Sequence, residues 1–573
     1  MRYYVLLLTC TIALLSCRKA DSVDNYISIY QAFQDTLSSR SKGDWAIETD
    51  SIRDAKKVLY KSLIPGLEKL DSSQMSMDDY INKELLILEI ENELNEIEFE
   101  NYLLPLNSEG GFLAGIVFTI QYASTKAKKD QEKYIKKLQG LPGYLAAYQK
   151  ILQKGIMKGK TSPNIITQRC IDLIQPYTTL ANEDNIFTQP CGNHDSLKMV
   201  VETILKSEII PAYTSFSKFL KDEYLPASKI KAGVSNLVGG KKYYENKVRY
   251  YTTLTMSPDE VFEIGKSEVA RIKKDMLEVI DEVGFKGSFD EFIAFLRKDP
   301  RFYVQTPQDL LNRAAWISKR MEGKLPQYFN ILPRMPFTIE PVPSAIAPNY
   351  TGGRYSEGSY SEGKAGAYWV NTYKLESRPI YVLPSLTLHE AVPGHHLQIM
   401  LSRELKNVPK FRENLYISAF GEGWGLYSEF LGIEAGMYET PYENFGRMTY
   451  EMWRACRLVV DVGLHYKGWT REQAVEFMAS NTALSMHEVN TEIDRYIGWP
   501  GQAVSYKIGE IKIRELRKRA EKELGDKFDI KAFHDLVLSK GSVKLSTLNR
   551  LVNDWIRVCK VKMNEKNKLM IKI

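Results

Sequence analysis

The chain has 573 residues, 44% of them apolar and 26% charged, and a formal net charge of +6. These fractions are near those of ordinary globular proteins and allow a large buried core. The positive excess is mild over this length and the lysines are scattered, except in a tail from Lys560 to Lys572, so the concentrated basic face of a nucleic-acid-binding protein is excluded.

Met1-Arg2 is a short positive start, and Val5 to Leu15 is an apolar run too short for a good bilayer span. The run ends in Leu14-Leu15-Ser16-Cys17, which resembles the lipobox of bacterial lipoproteins. That resemblance implies a signal peptide over residues 1–16, cleavage before Cys17 and acylation of Cys17. The protein would then be exported and held on a membrane, on the periplasmic or cell-surface side. A plain secretory signal is the alternative. Residues 17–25 read as the lipidated cysteine and a polar tether. No later apolar run approaches the length of a spanning helix. An oxidising compartment permits disulfides, and Cys170 is expected to pair with Cys191 across a short loop rich in Pro, Asn and Gly.

Most of the chain reads as helix. Apolar residues recur at three- and four-residue steps over 78–102, 131–154 and 196–220. Ser257-Pro258-Asp259-Glu260 opens a further helix to about residue 283, with a Ser cap, Pro in the first turn and acids at the positive end. Helices are also expected over 445–466, 470–479 and 508–524, the last stopping before Gly525. Residues 326–381 differ: they hold clustered Pro, Gly and Ser, with strand patterns at 337–340 and 367–371. The Gly/Ser/Tyr run at 350–363 between them reads as a mobile loop that could cover a substrate. The division expected is an N-terminal helical half, 26–250, and a C-terminal half, 251–573, that holds the chemistry.

Three of the seven histidines fall in His389-Glu390-Ala391-Val392-Pro393-Gly394-His395-His396. A catalytic zinc needs neutral imidazoles, a carboxylate and one open position, and a helix meets this with His at i and i+4 beside a Glu. Here position 393 is proline. On a straight helix His389 and His395 would stand about 9 Å apart along the axis, on different faces. Pro393 and Gly394 allow a kink with a bulge that returns His395 to the usual place; a longer bulge would use His396 instead.

The run from Thr387 to Gln398 resembles the HExxPGHHxQ signature of a bacterial family known as domain of unknown function 885. The likeness continues in Glu422-Gly423-Trp424-Gly425-Leu426-Tyr427-Ser428-Glu429, in Asp461 to Trp469 and in Tyr496 to Gly509. That family looks related to helical gluzincin metallopeptidases such as angiotensin-converting enzyme and the thermostable carboxypeptidases. The resemblance implies a mainly α, large helical metallopeptidase-like fold with a deep cleft and a small β-sheet beside the metal-binding helix. It implies one Zn2+ per chain, on His389, Glu422 and His395, with His396 as the alternative to His395. It gives Glu390 the role of general base, and Tyr496 and His487 that of stabilising the oxyanion. Arg495 would bind a substrate carboxylate or support the site, and Tyr506 and Lys507 are alternative contributors. Glu429, two turns after Glu422, could orient a ligand. Asp461 and His465, with Arg454 and Arg457, would form a polar layer beneath the metal or an internal ion-pair network. The strand at 368–371 would receive extended substrate by strand addition.

The expected activity is zinc-dependent hydrolysis of peptides, with a peptide substrate as partner. The alternatives are a zinc hydrolase of non-peptide amides or esters, and a non-enzymatic surface-binding lipoprotein on the same fold.

Overall fold

The computed structural model describes residues 22–40, 45–107, 111–121, 123–179, 185–228, 232–344 and 346–570. The apolar leader and Cys17 lie outside the described residues. A helix already begins at Val23, inside the segment expected to be a tether. Among the described residues no helix is long and apolar enough to cross a membrane. The protein is mainly helical, with one three-stranded sheet. It divides into two compact units, Met1–Tyr243 with Ile497–Trp499, and Tyr244–Tyr496 with Pro500–Ile573.

The first unit is built from helices. Asp50–Lys69 packs on Met77–Phe99, burying Tyr60, Leu67, Ile81 and Ile90. Ser76 caps the second of these by accepting from the Asp79 amide. The helix expected over 196–220 is instead Asp195–Ile204 and Ile210–Phe219, followed by wider π-type turns at Leu205–Ile209 and Leu220–Tyr224. Pro211 and Pro226 stand just past those turns, where a missing amide interrupts the regular ladder. The expected Cys170–Cys191 disulfide is not formed. Both thiols are free and buried, and Cys170 Sγ donates to the Asn107 carbonyl at 3.6 Å.

The second unit carries the sheet and seven helices that matter to the site: α1 (Pro258–Glu282), α2 (Leu383–Glu390), α3 (His395–Arg403), α4 (Ser418–Glu434), α5 (Pro441–Val462), α6 (Met486–Gly498, in this unit up to Tyr496) and α7 (Ser505–Leu524). The predicted start of α1 is a full capping box between Ser257 and Glu260. Strand β1 (Phe337–Pro341) runs parallel to β3 (Gly366–Val370), and β2 (Gly353–Ser356) antiparallel to it, in the order β1-β3-β2. β3 therefore has both edges filled, so the strand-addition role expected of it is overturned. The stretch expected to be a mobile loop is also ordered differently. It contains β2, and its far end is tied down by the Arg403–Glu357 ion pair at 2.6 Å and by Tyr360, whose hydroxyl donates to Glu404.

Helices α4 and α7 cross at glycine. A Cβ on Gly423 would lie 2.6 Å from Gly509 Cα, so only two bare backbones can approach this closely. This contact fixes the height of α4, and with it Glu422, the residue before the crossing.

Candidate metal centre

The proline in the motif breaks the helix outright, where a kink was expected. α2 ends at Glu390, and α3 begins at His395 after a turn through Ala391–Gly394. The Trp424 indole N–H donates to the Pro393 carbonyl at 2.8 Å and holds that turn against α4. The outcome brings His389 and His395 together, with ring centroids 4.7 Å apart and planes at 87°. α4 supplies the third group: Glu422 Oε2 lies 3.4 Å from His389 Nε2 and 3.3 Å from His395 Nε2.

These spacings fit a metal ion. Ligands at about 2.0–2.1 Å in tetrahedral array stand about 3.3–3.4 Å apart, and two imidazoles with one carboxylate leave a fourth position open. Among the described residues these three form the group of His, Cys, Asp and Glu side chains that could hold an ion. All three are buried. His389 Nδ1 is 2.8 Å from Glu429 Oε1, which fixes the tautomer with Nε2 facing Glu422. Arg454 in turn approaches Glu429 at 3.4 Å. Burial works against a charge on His389, yet Glu422, Glu429 and Glu390 outweigh it and push the imidazole up to about 9. Three carboxylates around one ring make a pocket that favours a cation. Glu422 is held well below the usual carboxylate range: the two histidines outweigh the cost of its burial.

His396 faces elsewhere. Its Nδ1 meets the Tyr355 hydroxyl at 3.0 Å, its ring packs on Phe337, and burial pushes its pKa down to about 4. Glu390, next to His389 in the chain, has Oε2 accepting from the Tyr355 amide of β2 at 2.8 Å. The sheet thus aims the carboxylate next to the histidines.

Residues 26–552 match the family described as bacterial protein of unknown function, DUF885. The chain belongs to the DUF885 family. A solved structure described as "the putative lipoprotein from Colwellia psychrerythraea" shares 27% identity with this DUF885 chain, covers 94% of it and 99% of its own length, and superposes with a TM-score of 0.84. A "putative lipoprotein of unknown function from Shewanella oneidensis" covers 92% of this chain and 98% of its own at 18% identity and a TM-score of 0.67, a likeness of fold alone. No curated protein matches the chain.

In this DUF885 chain the remaining site expectations divide. Tyr496 is fully buried in a network of its own. Its hydroxyl accepts from Trp453 Nε1 at 2.8 Å and Arg457 Nε at 2.7 Å and donates to Glu492 at 2.7 Å, which uses its bonding capacity. The Tyr506 ring stands nearer the candidate centre, with its centroid 6.5 Å from that of His389. Arg495 donates to Gln502 at 2.6 Å and to the Tyr506 hydroxyl at 3.4 Å, so it supports that tyrosine. Gln502 also donates to Tyr506, which leaves the Tyr506 O–H free to donate. His487 is half-buried on the first turn of α6 and is not part of the triad. Lys507 is enclosed by Glu510, Glu451 and Glu268 at 2.8, 2.9 and 3.1 Å, so it serves the packing of α1, α5 and α7. Asp461 and His465 belong to an internal network: Asp461 accepts from Tyr244 and the Gly501 amide, and His465 Nε2 donates to the Tyr496 carbonyl.

Sequence reasoning assigned no role to Tyr355, whose amide holds Glu390, or to Tyr416 and Gly425. Tyr416 lies with its ring centroid 6.3 Å from that of His395; burial and the charge of Glu422 push its hydroxyl well above the usual range. Gly425, one turn past Glu422, is where α4 meets the His389 ring, and a Cβ there would lie 2.5 Å from Cε1. Gly425 lies in the run that carries the family likeness, but its role and that of Tyr416 come from what the fold sets beside them.

Proposed function

We propose that the chain is a zinc-dependent peptidase of gluzincin type. The observation that carries this reading is the convergence of His389 Nε2, His395 Nε2 and Glu422 Oε2 at tetrahedral spacing, with Glu390 held beside them by the Tyr355 amide. When bound, zinc supplies a Lewis acid that polarises a carbonyl and eases the ionisation of a water molecule. Glu390 is the general base: it takes the proton of the attacking water and returns it to the leaving amine. Tyr506, with its O–H free, and Tyr416 are the donors for the negative charge that grows on the carbonyl oxygen. Glu429 keeps His389 in the ligating tautomer, and Arg454 stabilises Glu429. Substrate approaches along β2, because the backbone of β2 holds the general base. We also infer export and anchoring through lipid on Cys17, a reading supported by the description of the Colwellia relative as a lipoprotein.

The test is Glu390→Gln. The variant should retain zinc and lose peptide cleavage by about three orders of magnitude or more, the scale of general-base catalysis. Cleavage of every peptide at the wild-type rate removes the base assignment. Turnover of amide or ester substrates without any peptide turnover moves the reading to a non-peptide hydrolase.

A further inference from the structure

Arg354 stands on β2 one residue before Tyr355, whose amide holds the Glu390 carboxylate. Successive residues of a strand face opposite ways. Tyr355 turns inward onto His396, Met335 and Met400, while Arg354, paired across the sheet with Trp369, is exposed. Its neighbours in this part of the unit have carboxylate partners: Arg334 has Glu404, and Arg403 has Glu357. Among the described residues no carboxylate pairs with Arg354. Desolvation works against its charge, but a hydrogen bond to the Tyr350 hydroxyl and the charges of Glu390 and Glu422 outweigh it. The guanidinium is therefore an accessible cation, without a salt-bridge partner, near the two carboxylates of the site.

The charges around the centre explain why it would stay unpaired. A divalent ion is balanced by Glu390 and Glu422, and Glu429 is balanced by Arg454. Among the described residues Arg354 has no carboxylate of its own, so it remains an uncompensated positive charge on β2. Adjacent Cα atoms are about 3.8 Å apart and extended chain advances about 3.3–3.6 Å per residue. The amide that holds Glu390 belongs to the next residue along β2, so a group held by Arg354 lies a few residues at most from the bond that Glu390 serves.

We propose that Arg354 is the specificity-determining residue of the site, receiving a substrate carboxylate near the cleaved bond. Guanidinium matches carboxylate with two parallel hydrogen bonds, a geometry lysine cannot reproduce. The carboxylate is either the free C-terminus of the peptide or an acidic side chain beside the cleaved bond. The inference rests on the peptidase reading for its substrate class.

Binding and cleavage separate the two. Zinc-loaded Glu390→Gln protein, with and without Arg354→Gln or Arg354→Lys, is titrated calorimetrically with an Ala/Phe heptapeptide as free acid, with its C-terminal amide, and with amidated versions in which one Glu or its Gln counterpart is walked through the chain. Cleavage of the same peptides is followed with Glu390 intact. A carboxylate should tighten binding about tenfold or more. Arg354→Gln should erase that preference, Arg354→Lys should restore it in part, and the loss on cleavage should appear in KM more than in kcat. Preference for the free acid over the amide assigns the C-terminus; preference for Glu over Gln at one position assigns a side chain. Equal binding of charged and neutral peptides, or a preference that survives Arg354→Gln, overturns the inference while leaving peptide cleavage intact. Carboxylate-dependent binding with no cleavage of any peptide supports the role of Arg354 and refutes the peptidase reading.

Discussion

Replacing Gly425 by alanine sets a methyl carbon 2.5 Å from His389 Cε1, 2.7 Å from Nε2 and 2.8 Å from Nδ1. Carbon atoms in ordinary contact stand about 3.5–4.0 Å apart, so the ring has to retreat by about 1 Å. It cannot do so freely, because Glu429 holds Nδ1 at 2.8 Å and the His395 ring stands 4.7 Å away. Zinc sites tolerate about 0.2 Å in ligand position, so the displaced imidazole no longer ligates. Zinc affinity should fall at least about 100-fold, or ~3 kcal/mol. The fold should survive: overpacking costs about 1–3 kcal/mol, and alanine in place of glycine inside a helix offsets about 0.5–1 kcal/mol of it. The assay is competition for zinc with a calibrated chelator, alongside thermal unfolding of the metal-free protein. Gly143→Ala, where a Cβ meets nothing within 4 Å, is the control and should leave zinc affinity unchanged. A folded Gly425→Ala protein with wild-type zinc affinity would refute the placement of His389.

Other perturbations address neighbouring parts of the account. His395→Ala should abolish zinc binding, whereas His396→Ala should keep it and lose about 2–3 kcal/mol of stability, read by zinc content and denaturant midpoint, because His396 is a buried partner of Tyr355. Glu429→Gln should weaken zinc binding about 10–100-fold in chelator competition by relaxing the His389 tautomer. His534 is buried between the Tyr427 hydroxyl and the Tyr328 carbonyl, and burial pushes its pKa down to about 3. The unfolded chain takes up this proton near pH 6.5 and the folded one does not, so stability should fall as pH drops below about 6.5, by on the order of 4 kcal/mol at pH 3. Burial holds Asp461 and Glu488 protonated up to about 7, which has the opposite sign and costs stability as pH rises from about 4 to 7. The pH dependence of wild-type denaturant unfolding minus that of His534→Asn isolates the histidine, and an unchanged difference from pH 7 to 4 would contradict its neutral burial.

The candidate ligand histidines were legible because three histidines and a glutamate crowd one short run, while Glu422 came from the family resemblance. His389, Glu390 and His395 stand in one short run, whereas Glu422 lies on α4, a helix buried on nearly every side. The capped helices were legible for local reasons, as at Ser257 and Gly525. What was not legible depends on distant contacts. Spacing alone could not say that Pro393 ends the helix, because that depends on Trp424 reaching back to its carbonyl. The Gly/Ser/Tyr composition around 350–363 hid β2, whose pairing with β3 outweighs local propensity. The family resemblance implied Tyr496 for the oxyanion, but it carries no information on Arg457 and Glu492, from α5 and α6, which engage its hydroxyl. The Cys170–Cys191 pair was inferred from loop composition, which carries no information on where each thiol is buried.

The most direct measurement is the zinc content of the purified chain after dialysis against metal-free buffer, followed by readdition of zinc. The account predicts about one zinc per chain, restored to one on readdition after chelation. A chain that binds no zinc even in excess would contradict it, and would leave His389, His395 and Glu422 as a buried polar cluster without metal chemistry.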